Sequence, residues 1–486
     1  MAQGDDRLTP RVWRLSPLHY RAEVERLFPG APRAEIPVSA PEDGLSDIAA
    51  NARINTGNVG IFAEAARAVA RFVTDNGASM TRCANYGSLA CAESFLAWFP
   101  PAAFRRALSA EENTRLRQLF DELETDVDFD FAVSGVVRAV LLSPQFLYRT
   151  ELPAAGATLS NQEIAVLMAF GLTDRAPDAE LLEAAANGTL TDDAERGRQA
   201  QRLMQDSAPM WQRFFWEWLH MSTLESQGQE VGLDASLVRQ ILEEYQSFIE
   251  NIIVRDRGTL RGLLTSTRTW VEPELAALYG ASHPGSGRAE VDLDATQRSG
   301  LLTLGAWLVS HGKRGRANVV RRGMGIYVDA MCTPIRPPEG LDLVAETERL
   351  AGPDATVQEI VEARGESESC GGCHRIADPV GLAFERYAST GAWQEVYADG
   401  APVESAVSID GYGDFESAVG LSRALAEDER FQRCMVQRLQ HFLLGAKLPG
   451  RQRWTEEALA TFRSADTSFE ALVVDLISDP AFIERR

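Results

Sequence analysis

Apolar residues recur along most of this chain every three or four positions, the spacing that gathers them on one face of a helix. The clearest run is "SLVRQILEEYQSFIENIIV", where Leu237, Ile241, Tyr245, Phe248 and Ile252 fall near one face. Several helix starts carry a reciprocal capping box, in which a Ser or Thr side chain caps the first turn and a Glu three residues on reaches back. Ser109 with Glu112, Ser160 with Glu163, and Thr356 with Glu359 have this spacing. Further helices are predicted over 60–75, 131–142, 178–187, 194–205, 209–219, 235–254, 299–310, 317–331, 416–427, 430–444 and 453–465. Strand signals are few. "WQEVYADGAPV" (393–403) sets Asp399-Gly400 between two extended runs, the signature of a two-residue hairpin turn.

The helical pattern breaks at 33–47, 152–158, 281–292 and 333–353, where Pro, Gly and charge cluster. These breaks suggest an N-terminal helical segment (1–75), a Cys-containing helical subdomain (76–152), a central helical domain (153–285) and a further helical domain (286–352). A final segment, 353–486, carries the chemistry described next. No apolar run has the length a membrane span needs. The best candidate, "FAVSGVVRAVLL" (131–142), is short, contains Arg138 and reads as a buried helix. The opening "MAQGDDRLTP" is polar, and "AQGDD" after Met1 is the kind of start expected once a secretory leader has been removed.

Composition adds one exclusion. Of 486 residues, 45% are apolar and 24% charged, ordinary values for a globular chain of several domains. The net charge is −22, which repels phosphate backbones and argues against nucleic-acid binding.

The strongest local signal is "CGGCH". Cys370 and Cys373 are followed at once by His374, the C-x-x-C-H pattern of covalent haem attachment. The two-residue gap sets both sulfurs on one side of a helical turn, where they can add to the two vinyl groups of a porphyrin. The adjacent His then faces the iron as proximal ligand. A proximal His needs an acceptor for its other ring N–H, and a carbonyl of the "ADPVG" turn, around Asp378 and Pro379, is near enough in sequence. Two other readings exist. A structural zinc site wants four ligands, yet there is no second C-x-x-C, and His19, His220, His283, His311 and His441 are scattered. A thioredoxin-type dithiol should follow a strand and open a helix, whereas the preceding segment reads as helix and polar loop.

Haem is attached on the oxidising side of a membrane, where leftover cysteines pair. Parity and compartment favour Cys83–Cys91 and Cys332–Cys434 over four buried free thiols. Candidates for the distal iron ligand are His311, then His441, then Met435; Met324 and Met331 also lie nearby in sequence. Each is more often plain core, and an open five-coordinate iron remains an alternative.

The surroundings "CGGCHRIADPVGLAFERYASTGAWQ" resemble the signature of the planctomycete-type multi-domain cytochrome c family. So do "CANYGSLACAESFLAWFPPAAFRRALSAEE", "VVRAVLLSPQFLYRTEL", "RSGLLTLGAWLVSHGKRGRANVVRRGMGIYVDAMCTPIRPPEG" and "CMVQRLQHFLLGAKL". The chain departs from that pattern at Ala317-Asn318-Val319, at His441 where the family has Tyr, and at Gly445-Ala446 where it has Gly-Arg. The resemblance implies a large extracytoplasmic protein with one haem c. The chain is thus expected to be mainly α and multi-helical, with a small cytochrome-c-like haem region and one short β-hairpin near the C-terminus.

The expected function is electron transfer through one covalent haem held by Cys370, Cys373 and His374, with Pro379 against the cofactor. The expected setting is the periplasm, with a redox partner protein and no transmembrane segment. The alternatives are a haem-dependent peroxidase- or oxygenase-like enzyme with an open distal site, and an acidic scaffold with an accessory haem. The body of about 370 residues before the motif exceeds what a minimal carrier needs, but no catalytic constellation stands out in it.

Overall fold

In the computed structural model, residues 8–485 are described, apart from 154–157, 314–317, 336–355, 369–370, 398–399, 410–411 and 449–451. The described chain is mainly helical. All three capping boxes form: the Ser109, Ser160 and Thr356 side chains accept from Glu112, Glu163 and Glu359 backbone N–H groups, and each Glu reaches back. The helices they open are Ala110–Asp126, Asn161–Thr173 and Val357–Glu366.

The five residues assigned to one face of the 235–254 run are all buried. The run itself changes character partway, from an α-helix, Ala235–Ile249, to a wider π-helix, Glu250–Arg255. The 317–331 prediction divides likewise into Val319–Met324 and the π-helix Gly325–Ala330. The 299–310 prediction breaks at Leu304, whose extended backbone separates Leu301–Thr303 from Gly305–Ser310. Every residue of Gly305–Ser310 is buried, so no amphipathic period marked its ends. The 131–142 run falls in Phe129–Leu141, with Val133, Val136, Val137 and Val140 inside and Arg138 at the surface.

The expected hairpin is present as paired extended chain: Val396 bridges Pro402, and the Tyr397 N–H donates to the Ala401 carbonyl at 2.8 Å. Gly400 takes φ +86°, as a tight turn requires, while Asp399 lies outside the described residues. Three two-stranded antiparallel sheets were not expected: Arg11–Arg14 with Tyr148–Glu151, Arg268–Val271 with Ala289–Asp292, and Val407–Ile409 with Gly413–Phe415. Strands of three or four residues are too short to show a period of two.

Contacts group the chain into two compact units. The first comprises Met1–Met210, Gln440–Arg451 and Val473–Arg486; the second comprises Trp211–Leu439 and Gln452–Leu472. The first unit is built on an aromatic and aliphatic core that includes Phe28, Val69, Phe95, Phe99, Val136 and Phe146. It holds the Cys83–Cys91 disulfide. Beside that core His19 is fully enclosed, with Nε2 2.9 Å from Asp174 Oδ1 and Nδ1 3.2 Å from Asp47 Oδ2. Asp47 also accepts from Trp13 Nε1 at 3.0 Å and meets Arg149 at 3.2 Å. The second unit holds the Cys332–Cys434 disulfide and the C-x-x-C-H segment. Both pairings agree with the sequence reading. Among the described residues, no helix is long and apolar enough to cross a membrane.

Candidate functional site

Cys373 and His374 sit in the first turn of the helix Gly371–Leu382; Cys370 lies outside the described residues. The "ADPVG" segment is not a turn, as expected, but the continuation of this helix, with Pro379 inside it. Proline forfeits one helical hydrogen bond, and the tertiary packing of this helix supplies what local propensity lacks.

That packing is backbone against backbone. A Cβ at Gly323 would come within 1.9 Å of the Ala377 carbonyl oxygen, and one at Gly381 within 1.9 Å of the Val319 carbonyl oxygen. Only glycine lets Val319–Met324 and Gly371–Leu382 approach so closely. One residue earlier, the fully buried Arg322 donates to the carbonyls of Phe384 (2.9 Å), Tyr387 (2.7 Å) and Ala388 (3.0 Å). These carbonyls lie just beyond the helix end, where acceptors need partners. Burial lowers the Arg322 pKa to about 10, against the pull of Glu385.

His374 Nδ1 lies 3.0 Å from both carboxylate oxygens of Asp378, one helical turn on. The acceptor predicted near Asp378 is therefore the side chain, not a backbone carbonyl. Asp378 is completely buried, while the His374 side chain is 19% exposed. From the separate helix Val357–Glu366, an Arg364 terminal nitrogen stands 3.4 Å from Asp378 Oδ2. On its outer side His374 lines an open concavity of about 550 Å³, shared with Arg375 and Pro379 and faced by Val361, Glu362, Gly365, Glu366, Ser367 and Glu368. Cys373 is a free, half-buried thiol. A Cβ at Gly372 would meet nothing within 4 Å.

The distal candidates are placed otherwise. His311 is buried in the second unit, its Nδ1 2.9 Å from the Trp307 carbonyl and its ring stacked on Trp307 with centroids 4.6 Å apart. Gly325 leaves the room this ring occupies, since a Cβ there would lie 3.0 Å from it. Burial pushes the His311 pKa down to about 4. Met435 is fully buried. His441 belongs to the first unit, where its Nε2 accepts from the Leu448 N–H at 3.2 Å. The Met331 sulfur receives the Tyr412 hydroxyl at 3.2 Å. Met324 lies at the end of Val319–Met324 and is half-buried. Of the predicted site residues, His374 and Pro379 line the open concavity together, and Cys373 precedes His374 on the same helix.

A larger concavity, about 690 Å³, lies in the first unit among Arg11, Val12, Ile48, Ile54, Tyr148 and Lys447. Its Arg11 is held by Glu151 and its Lys447 by Asp43, so two of its cations already have internal carboxylates. Arg364, Arg322 and the Gly323–Gly381 crossing had no spacing signature of their own. Arg322-Gly323 was visible only as part of a resemblance.

Four family models match the chain, each described as a protein of unknown function: DUF1595 over residues 91–151, DUF1592 over 159–281, DUF1588 over 298–397 and DUF1585 over 413–482. These are the domains associated with planctomycete cytochromes c. No curated protein and no solved structure matches it.

Proposed function

We propose that the chain is an extracytoplasmic c-type cytochrome, carrying one haem bound through Cys370 and Cys373 with His374 as axial ligand, and passing single electrons to a redox partner protein. The observation that carries this reading is the His374–Asp378 pair. An imidazole whose Nδ1 is held by a buried carboxylate has a fixed tautomer and orientation, and keeps Nε2 for a metal. The donor set fits as well. Four of the six cysteines are paired in disulfides, Cys373 is a free thiol, and Gly372 and Pro379 leave a broad wall beside His374.

In attachment, the Cys370 and Cys373 thiols would each add across a vinyl group, the sulfur bonding one carbon and the hydrogen the other. The bound haem supplies the one-electron couple. The protein's part is to hold His374 through Asp378, to fix that helix through Gly323 and Gly381, and to limit water on the inner side of the ring. Two disulfides fit an oxidising compartment, and the periplasm is the setting we propose.

A second reading has one observation in its favour. His311 is buried with its Nε2 against Gly325, His441 has its Nε2 engaged by the Leu448 N–H, and Met435 is sealed in the core. That favours an open distal face, as a peroxidase- or oxygenase-like enzyme would need.

The test is to mature the chain in a periplasm with a haem-attachment system. Denaturing mass spectrometry should then show one haem adduct, lost in the Cys370→Ala, Cys373→Ala double variant. Absence of both adduct and Soret band in the parent protein overturns the proposal. A six-coordinate low-spin spectrum supports the carrier; a high-spin spectrum that shifts with cyanide supports the open site.

A further inference from the structure

We infer that Arg364 is a positioning residue that sets the electrostatic state of His374 through Asp378, and so fixes the reduction potential of the centre; this rests on the haem reading above. The geometry is a three-member relay across two helices. Asp378 has no exposed surface, and both its oxygens lie 3.0 Å from His374 Nδ1. A buried carboxylate with one imidazole N–H as its sole counterpart would draw that proton strongly and push negative charge onto the ring. Arg364 opposes this. Its guanidinium is only 14% exposed and stands 3.4 Å from Asp378 Oδ2. Its Nε is buried with no acceptor of its own, so the side chain is not held there by a rival hydrogen bond at that atom.

The signs follow from Coulomb's law in a medium of low effective dielectric. A negative charge behind the axial histidine stabilises ferric iron, and a positive charge stabilises ferrous iron. Removing Asp378's charge should raise the potential, and removing Arg364's charge should lower it. A purely structural pair would not separate in this way, because loosening the same helix contact from either side would move the centre in one direction.

The experiment is spectroelectrochemical titration of the haem-loaded parent, Arg364→Gln, Arg364→Lys and Asp378→Asn. Arg364→Gln is expected to shift the reduction equilibrium at least about tenfold towards ferric, about 59 mV for a one-electron couple. Asp378→Asn is expected to shift it at least as far towards ferrous. Arg364→Lys, which keeps the charge, should stay within about threefold of the parent, less than half the tenfold, 59 mV step. A second readout needs no haem. In the haem-free chain, long-range ¹H–¹⁵N spectra of His374 should show the Nδ1–H tautomer dominant in the parent and in Arg364→Lys. In Arg364→Gln that tautomer should stay dominant and its Nδ1–H proton should move downfield of the parent, because Asp378 without the opposing cation draws it more strongly. A parent that takes up haem while both variants shift in one direction, or neither shifts, overturns the role of Arg364 alone. A parent that takes up no haem overturns the haem reading, and an Nδ1–H proton that does not move in haem-free Arg364→Gln then overturns the relay as well.

Discussion

Each unit of this molecule has a histidine locked to a buried aspartate, and the two are built for different ends. In the first unit His19 is fully enclosed, with a carboxylate beside each ring nitrogen: Asp174 at 2.9 Å and Asp47 at 3.2 Å. The Phe170 ring meets it edge-on with centroids 4.8 Å apart. That imidazole has almost no surface to offer. In the second unit His374 gives Nδ1 to Asp378 and presents the rest of its ring to a concavity. On the function proposed above, the same residue pair is a clamp in one place and a ligand holder in the other. Enclosure of the second nitrogen decides which.

The comparison can be broken most severely at His19. Truncation to Ala removes a buried partner from two carboxylates, and loss of one member of a buried pair is expected to destabilise by about 3–5 kcal/mol. Urea unfolding of the haem-free chain measures it; a loss under about 1 kcal/mol would erase the distinction between the two histidines.

Glu244 sharpens the point by showing a buried carboxylate with no imidazole. Its oxygens accept from Thr269 at 2.8 Å and Tyr279 at 2.6 Å. Burial raises its pKa to about 7 from an ordinary 4.5, against the pull of those hydroxyls and Arg298. The folded chain therefore holds a proton that the unfolded chain has released between those two pH values. Stability should fall as pH rises through that window, by on the order of 3 kcal/mol from this group. In Glu244→Gln that part of the slope should vanish from a series of unfolding curves. A parent-like slope in the variant would rule out Glu244 as its source.

Next in size is the helix crossing beneath His374. Gly323→Ala drives a methyl against the Ala377 carbonyl and should destabilise by about 1–3 kcal/mol. Gly372→Ala, which meets nothing within 4 Å, is the control and should stay within about 0.5 kcal/mol. Equal thermal shifts in the two variants would refute the crossing as the support of the site.

The smallest effect is expected at His374 itself. Its side chain is partly exposed, and Asp378 keeps Arg364 when it is removed, so His374→Ala should destabilise by only about 1 kcal/mol. A loss as large as that of His19→Ala would make His374 a clamp too.

Much of this fold was legible in the chain because its signals are local. The capping boxes at Ser109, Ser160 and Thr356, the apolar face from Leu237 to Ile252, and the turn at Gly400 need only near neighbours to form. The break at Leu304 was not legible, because residues buried on every side carry no period. Nor was the sheet joining Arg11–Arg14 to Tyr148–Glu151, whose partners lie more than a hundred residues apart in sequence. Of the candidate site, the C-x-x-C-H spacing and the closeness of Asp378 to His374 were readable, since a helix brings i and i+4 together. That the carboxylate, and not a carbonyl, takes the Nδ1 contact was not.

Local order along the chain was enough for a mainly helical fold, a net acidic charge and one motif of the haem-attachment type, and it favoured the two disulfide pairs that form. Tertiary packing was needed to bring Arg364 to Asp378 from another helix, and to let two backbones touch at Gly323 and Gly381. It also decided that His19 is shut in while His374 faces outward. The physical reason is the same throughout: spacing along a helix fixes which side chains share a face, but burial and charge depend on what distant segments bring against it.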